Sequence, residues 1–280
     1  MPEGDRLYRY AALLRPVIEG RPILSARAHG PGPVPQTDRI VGAVCTGVRA
    51  QGKNLIISFD NGLAMRGHLR MNGTWHVYKP GESWTVGESN ARLVLEVEDA
   101  VVVNFFAPVI ELIEERALAD YSPISKLGPD LLDDDFDPAV ALAAFREPAR
   151  AKLTIGDAIM DQRIMAGVGN IWKHETLFRC GLNPWRRVAE LDDGKLQQVI
   201  RIARELLRAA AGKPGDDGKP PRRPVMCVYG RAGSPCRRCN TIIRSARQGV
   251  DLRFTAWCPH CQPVTEGQAV LPPGRSAARS

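Results

Sequence analysis

Near the C-terminal end, four cysteines stand as Cys236-x2-Cys239-x18-Cys258-x2-Cys261. This spacing constrains the fold more tightly than any other feature of the chain. Each C-x2-C knuckle turns two thiols toward one point, and an 18-residue spacer lets a two-stranded hairpin bring the knuckles together. Four thiolates in that arrangement make a closed tetrahedral zinc site, which is structural because no coordination position stays open. One structural Zn2+ is therefore expected on Cys236, Cys239, Cys258 and Cys261. Two disulfides are the alternative, and a reducing compartment disfavours them. Of the seven cysteines, Cys45 and Cys180 stand alone and read as buried apolar filler. Cys227 lies nine residues ahead of the first knuckle and is not expected to be a ligand. His260, inside the second knuckle, is expected to point outward.

The 280 residues are enough for two domains and a small third. A hydrophobic share of 44% and a charged share of 25% are those of a soluble globular protein and exclude a largely disordered chain. No apolar run reaches the ~18–20 residues of a membrane span. The start, Met1-Pro2-Glu3-Gly4-Asp5-Arg6, lacks the apolar core of a signal peptide, so a cytoplasmic monomer is expected. The net charge of +7 is unevenly spread: residues 201–261 hold 13 Lys/Arg against 4 Asp/Glu, whereas residues 91–137 lean acidic and include Asp133-Asp134-Asp135. A basic C-terminal third points to a polyanion, nucleic acid first; a solvated basic surface is the alternative.

Two periodicities divide the rest of the chain. Residues 22–116 read as short strands. Lys53–Phe59 and Leu63–Leu69 flank the tight-turn signal Asp60-Asn61-Gly62, and Ala91–Glu98 alternates before Val101-Val102-Val103. A two-sheet sandwich is expected, with a helix over residues 6–18 held against it. From residue 137 the period is helical, with candidates at 139–145, 155–164, 170–178 and 191–211. Breakers at 212–221 make a flexible connector. The expected organisation is α+β and multidomain: a sandwich over 1–132, a helical domain over 133–225, a zinc finger over 226–264 and a flexible tail over 265–280.

Three short stretches carry chemistry. Pro2 is small enough to allow removal of Met1, which exposes a secondary amine. An α-amino group with a pKa of ~7.7–8.0 is partly neutral near pH 7, and attack on an aldehydic carbon gives an iminium, an electron sink. Glu3 beside it can move protons. In Asp161-Gln162-Arg163-Ile164-Met165-Ala166-Gly167-Val168-Gly169-Asn170, a Gly-rich turn leads into a helix N-terminus, where backbone N–H groups and the Asn170 amide suit a phosphate. Arg253, near the tip of the finger hairpin, can grip phosphate bidentately. Each stretch also has a plain structural reading, as a chain start, a turn between helices and a solvated arginine.

In this order and spacing, the three stretches resemble the formamidopyrimidine-DNA glycosylase / endonuclease VIII family. Val228-Tyr229-Gly230-Arg231 and Cys258-Pro259-His260-Cys261-Gln262 match it as well. The resemblance implies a β-sandwich, a helix–two-turn–helix domain and a zinc finger, with damaged DNA bound between the sandwich and the rest. It implies base-excision repair by a bifunctional glycosylase and abasic-site lyase. Pro2 would form the Schiff base with C1′, Glu3 would donate and accept the proton that opens the sugar, and Lys53 in Gln51-Gly52-Lys53-Asn54 would contact phosphate and assist β-elimination. Asn170 and Arg253 would hold phosphates flanking the lesion, Arg253 also assisting δ-elimination.

The chain departs from the family pattern in places. The loop His68-Leu69-Arg70-Met71-Asn72-Gly73 makes Met71 the candidate wedge for the gap left by a flipped base. The later stretch Asn104-Phe105-Phe106-Ala107-Pro108 lacks the Arg and Phe wedges of the purine-lesion enzymes. This favours the endonuclease VIII branch and oxidised pyrimidines. Arg6 stands where the family often has Glu. A non-catalytic zinc-finger DNA-binding protein that keeps the fold is the alternative, and it would retain Met1.

Overall fold

The apolar pattern of residues 22–116 resolves into eight strands in the computed structural model, which describes residues 3–30, 34–212 and 225–264. These are β1 (Ser25–Ala28), β2 (Cys45–Gln51), β3 (Asn54–Phe59), β4 (Leu63–His68), β5 (Thr74–Tyr78), β6 (Ala91–Val97), β7 (Ala100–Phe105) and β8 (Val109–Glu114). They pair antiparallel into two four-stranded sheets, ordered β1-β6-β7-β5 and β2-β3-β4-β8. Leu55, Ile57, Phe59 and Met65 of one sheet meet Trp75, Leu93, Leu95 and Val102 of the other in one core. The expected hairpin is present: Gly62 closes it at φ 78, and Asn61 Oδ1 accepts from the Leu63 N–H at 3.2 Å. Strands of a sandwich usually alternate between core and solvent, yet β7 is buried along its whole length. Val94, Val101, Val103 and Phe105 on the outer face are covered by Trp84 and Val86 from the β5–β6 connection.

Helix α1 (Gly4–Ile18) starts two residues earlier than the pattern predicts. Leu7, Ala11, Leu14 and Ile18 recur at helical spacing and are buried, placing one apolar stripe on β2 and β3. Arg15 ties the helix to β2 by donating to the Val48 carbonyl from Nη2 (2.9 Å) and Nε (3.3 Å). Pro16 lacks the N–H that would extend the ladder, and α1 ends two residues later.

The described residues fall into two compact units that part after Lys126, just beyond the single turn α2 (Ser122–Ser125). The second unit begins with α3 (Pro138–Arg146), where the Asp137 carboxylate caps the Ala139 N–H (2.8 Å) and Pro138 takes the first turn. It continues with α4 (Ile155–Ala158), α5 (Asn170–Cys180) and α6 (Asp193–Ala211), and then the hairpin of β9 (Arg244–Gln248) and β10 (Arg253–Trp257). Phe145, Ile155, Ile164, Met165, Trp172, Leu177, Leu196, Val199 and Leu207 form its core.

The helix expected over 155–164 is corrected to the single turn of α4. Ile159, Ile164 and Met165 are buried as a helical pattern demands, but side chains divert the backbone. Asp161 Oδ1 accepts from the Arg163 N–H (3.0 Å), and Gln162 Nε2 donates to the Val168 carbonyl (2.9 Å). Helix α5 runs two residues past expectation, to Cys180, and is closed by Gly181, a left-handed cap at φ 66. Most of the expected connector and all of the tail (213–224 and 265–280) lie outside the described residues.

Candidate catalytic end and nucleic-acid interface

In the first unit, strand register gathers one set of candidates at one end of the sandwich. β2 and β3 are joined by the two-residue turn Gly52-Lys53, closed by the Gln51–Asn54 pair. Gly52 at φ 58 supplies the left-handed backbone such a tight turn needs. Asn54 pairs with His68, the last residue of β4, and His68 pairs with Val109, the first of β8. Thr74, the first residue of β5, pairs with Phe105 at the end of β7. The Lys53 turn, the 69–73 loop and the 106–108 connection therefore leave the sheets at the same end.

The 69–73 loop is anchored tightly. Leu69 is buried, and its carbonyl accepts from the Gly73 N–H at 3.0 Å. A Cβ at Gly73 would come within 2.8 Å of Leu69, so no larger residue fits there. Arg70 takes φ 45, a conformation a non-glycine residue holds only under constraint. The turn projects Met71, which is 59% exposed. The imidazole of His68 is pushed down to about 4 by burial, and then by the cations Arg66, Lys53 and Arg70. A neutral histidine thus sits among three positive side chains.

At this end the stretch Asn104–Pro108 buries Phe105 and leaves Phe106 44% exposed. Consecutive side chains on a strand point to opposite faces, and φ 60 at Phe106 turns the chain outward.

Pro2 lies outside the described residues. Glu3 caps α1, its carbonyl accepting from the N–H groups of Arg6 (2.9 Å) and Leu7 (3.3 Å), and the residue is only 1% exposed. Arg6, one turn on, donates from Nε to the Tyr10 hydroxyl at 3.2 Å, with its guanidinium 5.6 Å from the ring centroid.

The second unit brings Asn170 and Arg253 together. Asn170 is the first residue of α5, and its Nδ2 donates to the carbonyl of Phe254, next to Arg253, at 3.2 Å. Its Oδ1 is buried without a hydrogen-bond partner. The preceding Gly-rich turn is held by Gln162, whose Oε1 accepts from the Gly167 N–H at 3.1 Å, with Gly167 at φ 106. Arg253 opens β10 and donates from Nε (3.2 Å) and Nη2 (3.1 Å) to Asp251 Oδ2.

A set of buried polar groups that joins the finger to α5 was not legible in the sequence. Glu175 accepts from three backbone N–H groups of the finger lead-in: Cys227 at 2.8 Å on Oε2, and Val228 and Tyr229 at 3.0 Å on Oε1. Lys173 Nζ donates to Thr255 Oγ1 (2.6 Å), and His174 Nε2 accepts from the Ala256 N–H (2.7 Å). Gln262 Nε2 donates to the Leu182 carbonyl (2.8 Å), and Asn183 Nδ2 to the Gln262 carbonyl (3.0 Å). Polar residues on a helix read as a solvated face; the one available signal was the run Lys173-His174-Glu175 between apolar positions.

The four knuckle cysteines converge, with all four Sγ atoms within 4.8 Å of one another. Cys236–Cys261, Cys239–Cys258 and Cys239–Cys261 stand at 4.0, 3.4 and 3.5 Å, and all four are free thiols. A tetrahedron with metal–sulfur bonds of about 2.3 Å sets sulfurs about 3.8 Å apart, so the cradle fits one zinc-sized ion. Backbone N–H groups of Arg238 and Cys261 donate to the sulfurs of Cys236 and Cys258 at 3.4 Å each, which suits thiolates. Cys227 and His260 stand outside the cluster, and His260 is exposed. Cys45 and Cys180 are buried, their thiols pushed up to about 11 and about 12 by desolvation, which makes them poor nucleophiles.

Residues 1–108 match the family model described as the formamidopyrimidine-DNA glycosylase N-terminal domain, and residues 127–217 match its H2TH domain. A relative in Streptomyces coelicolor named probable endonuclease 8 2 is 36% identical, over 100% of this chain and 99% of its own. The chain belongs to the formamidopyrimidine-DNA glycosylase / endonuclease VIII family. Within that family, the DNA-(apurinic or apyrimidinic site) lyase Nei2 of Mycolicibacterium smegmatis is 36% identical over 94% of this chain and 99% of its own. Among solved structures, Lactococcus lactis formamidopyrimidine-DNA glycosylase in complex with DNA containing N7-benzyl-Fapy-dG superposes with a TM-score of 0.80 at 24% identity, covering 94% of this chain and 100% of that one. The family fold therefore holds: a sandwich, a helix–two-turn–helix domain and a four-cysteine hairpin. The family's N-terminal match spans Glu3, Lys53 and Met71, and its H2TH match spans Asn170. Among the described residues, no helix is long and apolar enough to cross a membrane.

Proposed function

We propose that this chain is a bifunctional DNA glycosylase and abasic-site lyase that removes oxidised bases, pyrimidines foremost, from DNA. The observation that carries the reading is the burial of Glu3 at the start of α1, directly after Pro2 in the sequence. With Met1 removed, the Pro2 amine attacks C1′, the bond to the base breaks and the base leaves with a proton. Glu3 protonates the sugar ring oxygen, which opens the ring and leaves an iminium between Pro2 and C1′. The iminium draws electrons as a proton leaves C2′ and the 3′ phosphate departs; a second elimination releases the 5′ phosphate. Lys53 and Arg253 contact the phosphates, Lys53 assisting the first elimination and Arg253 the second, while Asn170 holds the flanking backbone. The target nucleotide must leave the stack first, and Met71 fills the gap. The four cysteines hold one structural zinc, which keeps the hairpin of Arg253 in shape and takes no part in the chemistry. The pyrimidine preference is supported by the resemblance to proteins named endonuclease 8.

Borohydride trapping tests the reading. The expected result is a covalent adduct at Pro2 with DNA carrying an oxidised pyrimidine or a preformed abasic site. Glu3→Gln should lose excision of an intact base yet retain some cleavage at the preformed abasic site. An adduct at Lys53 would reassign the nucleophile. No adduct from protein lacking Met1, on any of oxidised pyrimidine, oxidised purine or abasic DNA, would favour a non-catalytic DNA-binding protein.

A further inference from the structure

Lys53 sits on a two-residue turn, and such a turn alone is a poor platform for a long side chain. The residue after it, Asn54, is buried and uses both ends of its amide. Nδ2 donates to the Gln51 carbonyl across the turn at 3.1 Å, and Oδ1 accepts from Arg66 Nε at 2.9 Å. Arg66, itself buried, pairs through Nη1 with Glu111 Oε2 at 2.6 Å. Glu111 also accepts from the Tyr121 hydroxyl at 2.7 Å, and the Arg66 guanidinium lies 5.5 Å from the Tyr121 ring centroid. The chain of contacts thus runs from the Lys53 turn through β3, β4 and β8 to the segment that follows the sandwich.

We infer that Asn54 is a positioning residue for Lys53, locking the Gly52-Lys53 turn to the Arg66–Glu111 ion pair so that the Lys53 amine is held at the catalytic end. The inference rests on the part given to Lys53 under the proposed function. Its physical basis is that a buried amide bonded at both ends has one low-energy rotamer, whereas a turn with no such anchor samples several. The two bonds of Asn54 also have separable effects. The Arg66 bond serves the buried charge and hence stability, and the Gln51 bond serves the turn.

The test is a double-mutant cycle on single-turnover cleavage of duplex DNA bearing a preformed abasic site, alongside DNA affinity and thermal melting. Lys53→Ala should slow cleavage at least 100-fold. Asn54→Ala should slow it 10- to 50-fold with DNA affinity changed less than threefold. The double variant should cleave no more slowly than Lys53→Ala, because Asn54 acts only through Lys53. Asn54→Asp keeps an acceptor for Arg66 but turns an oxygen instead of a donor toward the Gln51 carbonyl; it should remain folded at the assay temperature, with a lowered melting point, and still cleave slowly. That variant also serves if Asn54→Ala does not fold. Additive losses in the cycle, or wild-type cleavage by Asn54→Asp, would overturn the inference while leaving the role of Lys53 intact. Unchanged cleavage by Lys53→Ala would overturn both.

Discussion

Replacing Glu175 by Gln removes one oxygen acceptor and the charge while keeping the shape of the side chain. In the native structure its two oxygens accept three backbone N–H groups, from Cys227, Val228 and Tyr229. An amide oxygen can still take the Val228 and Tyr229 donors, but the amide nitrogen then faces the Cys227 N–H, donor against donor. One charge-assisted bond is lost, at about 1.5–3 kcal/mol, and the two survivors become neutral and weaker. The summed loss is about 3 kcal/mol, or a fall in melting temperature of roughly 6–12 °C at ~2–4 °C per kcal/mol. The knuckles themselves are untouched, so metal analysis should still find one zinc per chain. DNA affinity should fall at least tenfold, because the lead-in no longer holds the hairpin that carries Arg253 against α5. Calorimetry, metal analysis and fluorescence anisotropy on a short abasic duplex read the three quantities. Glu175→Gln with unchanged melting and unchanged affinity would refute the view that this carboxylate anchors the finger.

Four further outcomes are expected. Chelating the zinc should abolish DNA binding, since a structural site supplies ~10–16 kcal/mol of folding free energy in finger peptides; unchanged affinity of metal-free protein would contradict this. Arg253→Ala should lower the dependence of log K on log salt by about one unit, and Asp251→Asn, which removes the carboxylate paired with Arg253, should raise affinity about two- to fivefold; salt titrations that leave both variants at the wild-type values would mark Arg253 as merely solvated. Met71→Ala should slow excision from duplex more than from single strands, which barely incur the few kcal/mol of unstacking; equal losses would make Met71 a packing residue. The His174 imidazole is held at about 4, chiefly by burial and then by Lys173, so the unfolded chain takes up a proton that the folded one refuses between about pH 6.5 and 4. Stability should fall as pH drops through that window, by up to about 3 kcal/mol, and His174→Gln should flatten the fall in urea titrations across pH; identical profiles would sink the assignment.

The part of the design that is local was readable from residue order. Two C-x2-C knuckles impose convergence wherever they occur, because thiol geometry at that spacing leaves few alternatives. The sandwich was legible because Asp60-Asn61-Gly62 and period-two apolar runs act within a few residues. Asn170 at a helix start and Arg253 near a hairpin tip followed from Gly-rich and turn signals beside them. The helix expected at 155–164 failed for a definable reason: its apolar spacing is that of a buried segment, and Asp161 and Gln162 took over backbone bonds that a helix needs.

Tertiary structure decided everything that depends on which polar groups lose water together. Lys173, His174, Glu175, Gln248 and Gln262 look like solvated residues one at a time, and they are buried because the finger folds back onto α5 and the segments around Thr154 and Leu182–Pro184. Asn54, Arg66 and Glu111 lie far apart in sequence, and strand register alone brings them into one chain of bonds beneath Lys53. Phe106 turns outward because its backbone takes φ 60, which no composition or period encodes. Short-range sterics and spacing were written in the sequence, whereas burial of polar atoms is a property of the assembled surface, since a donor's partner is set by what packs against it.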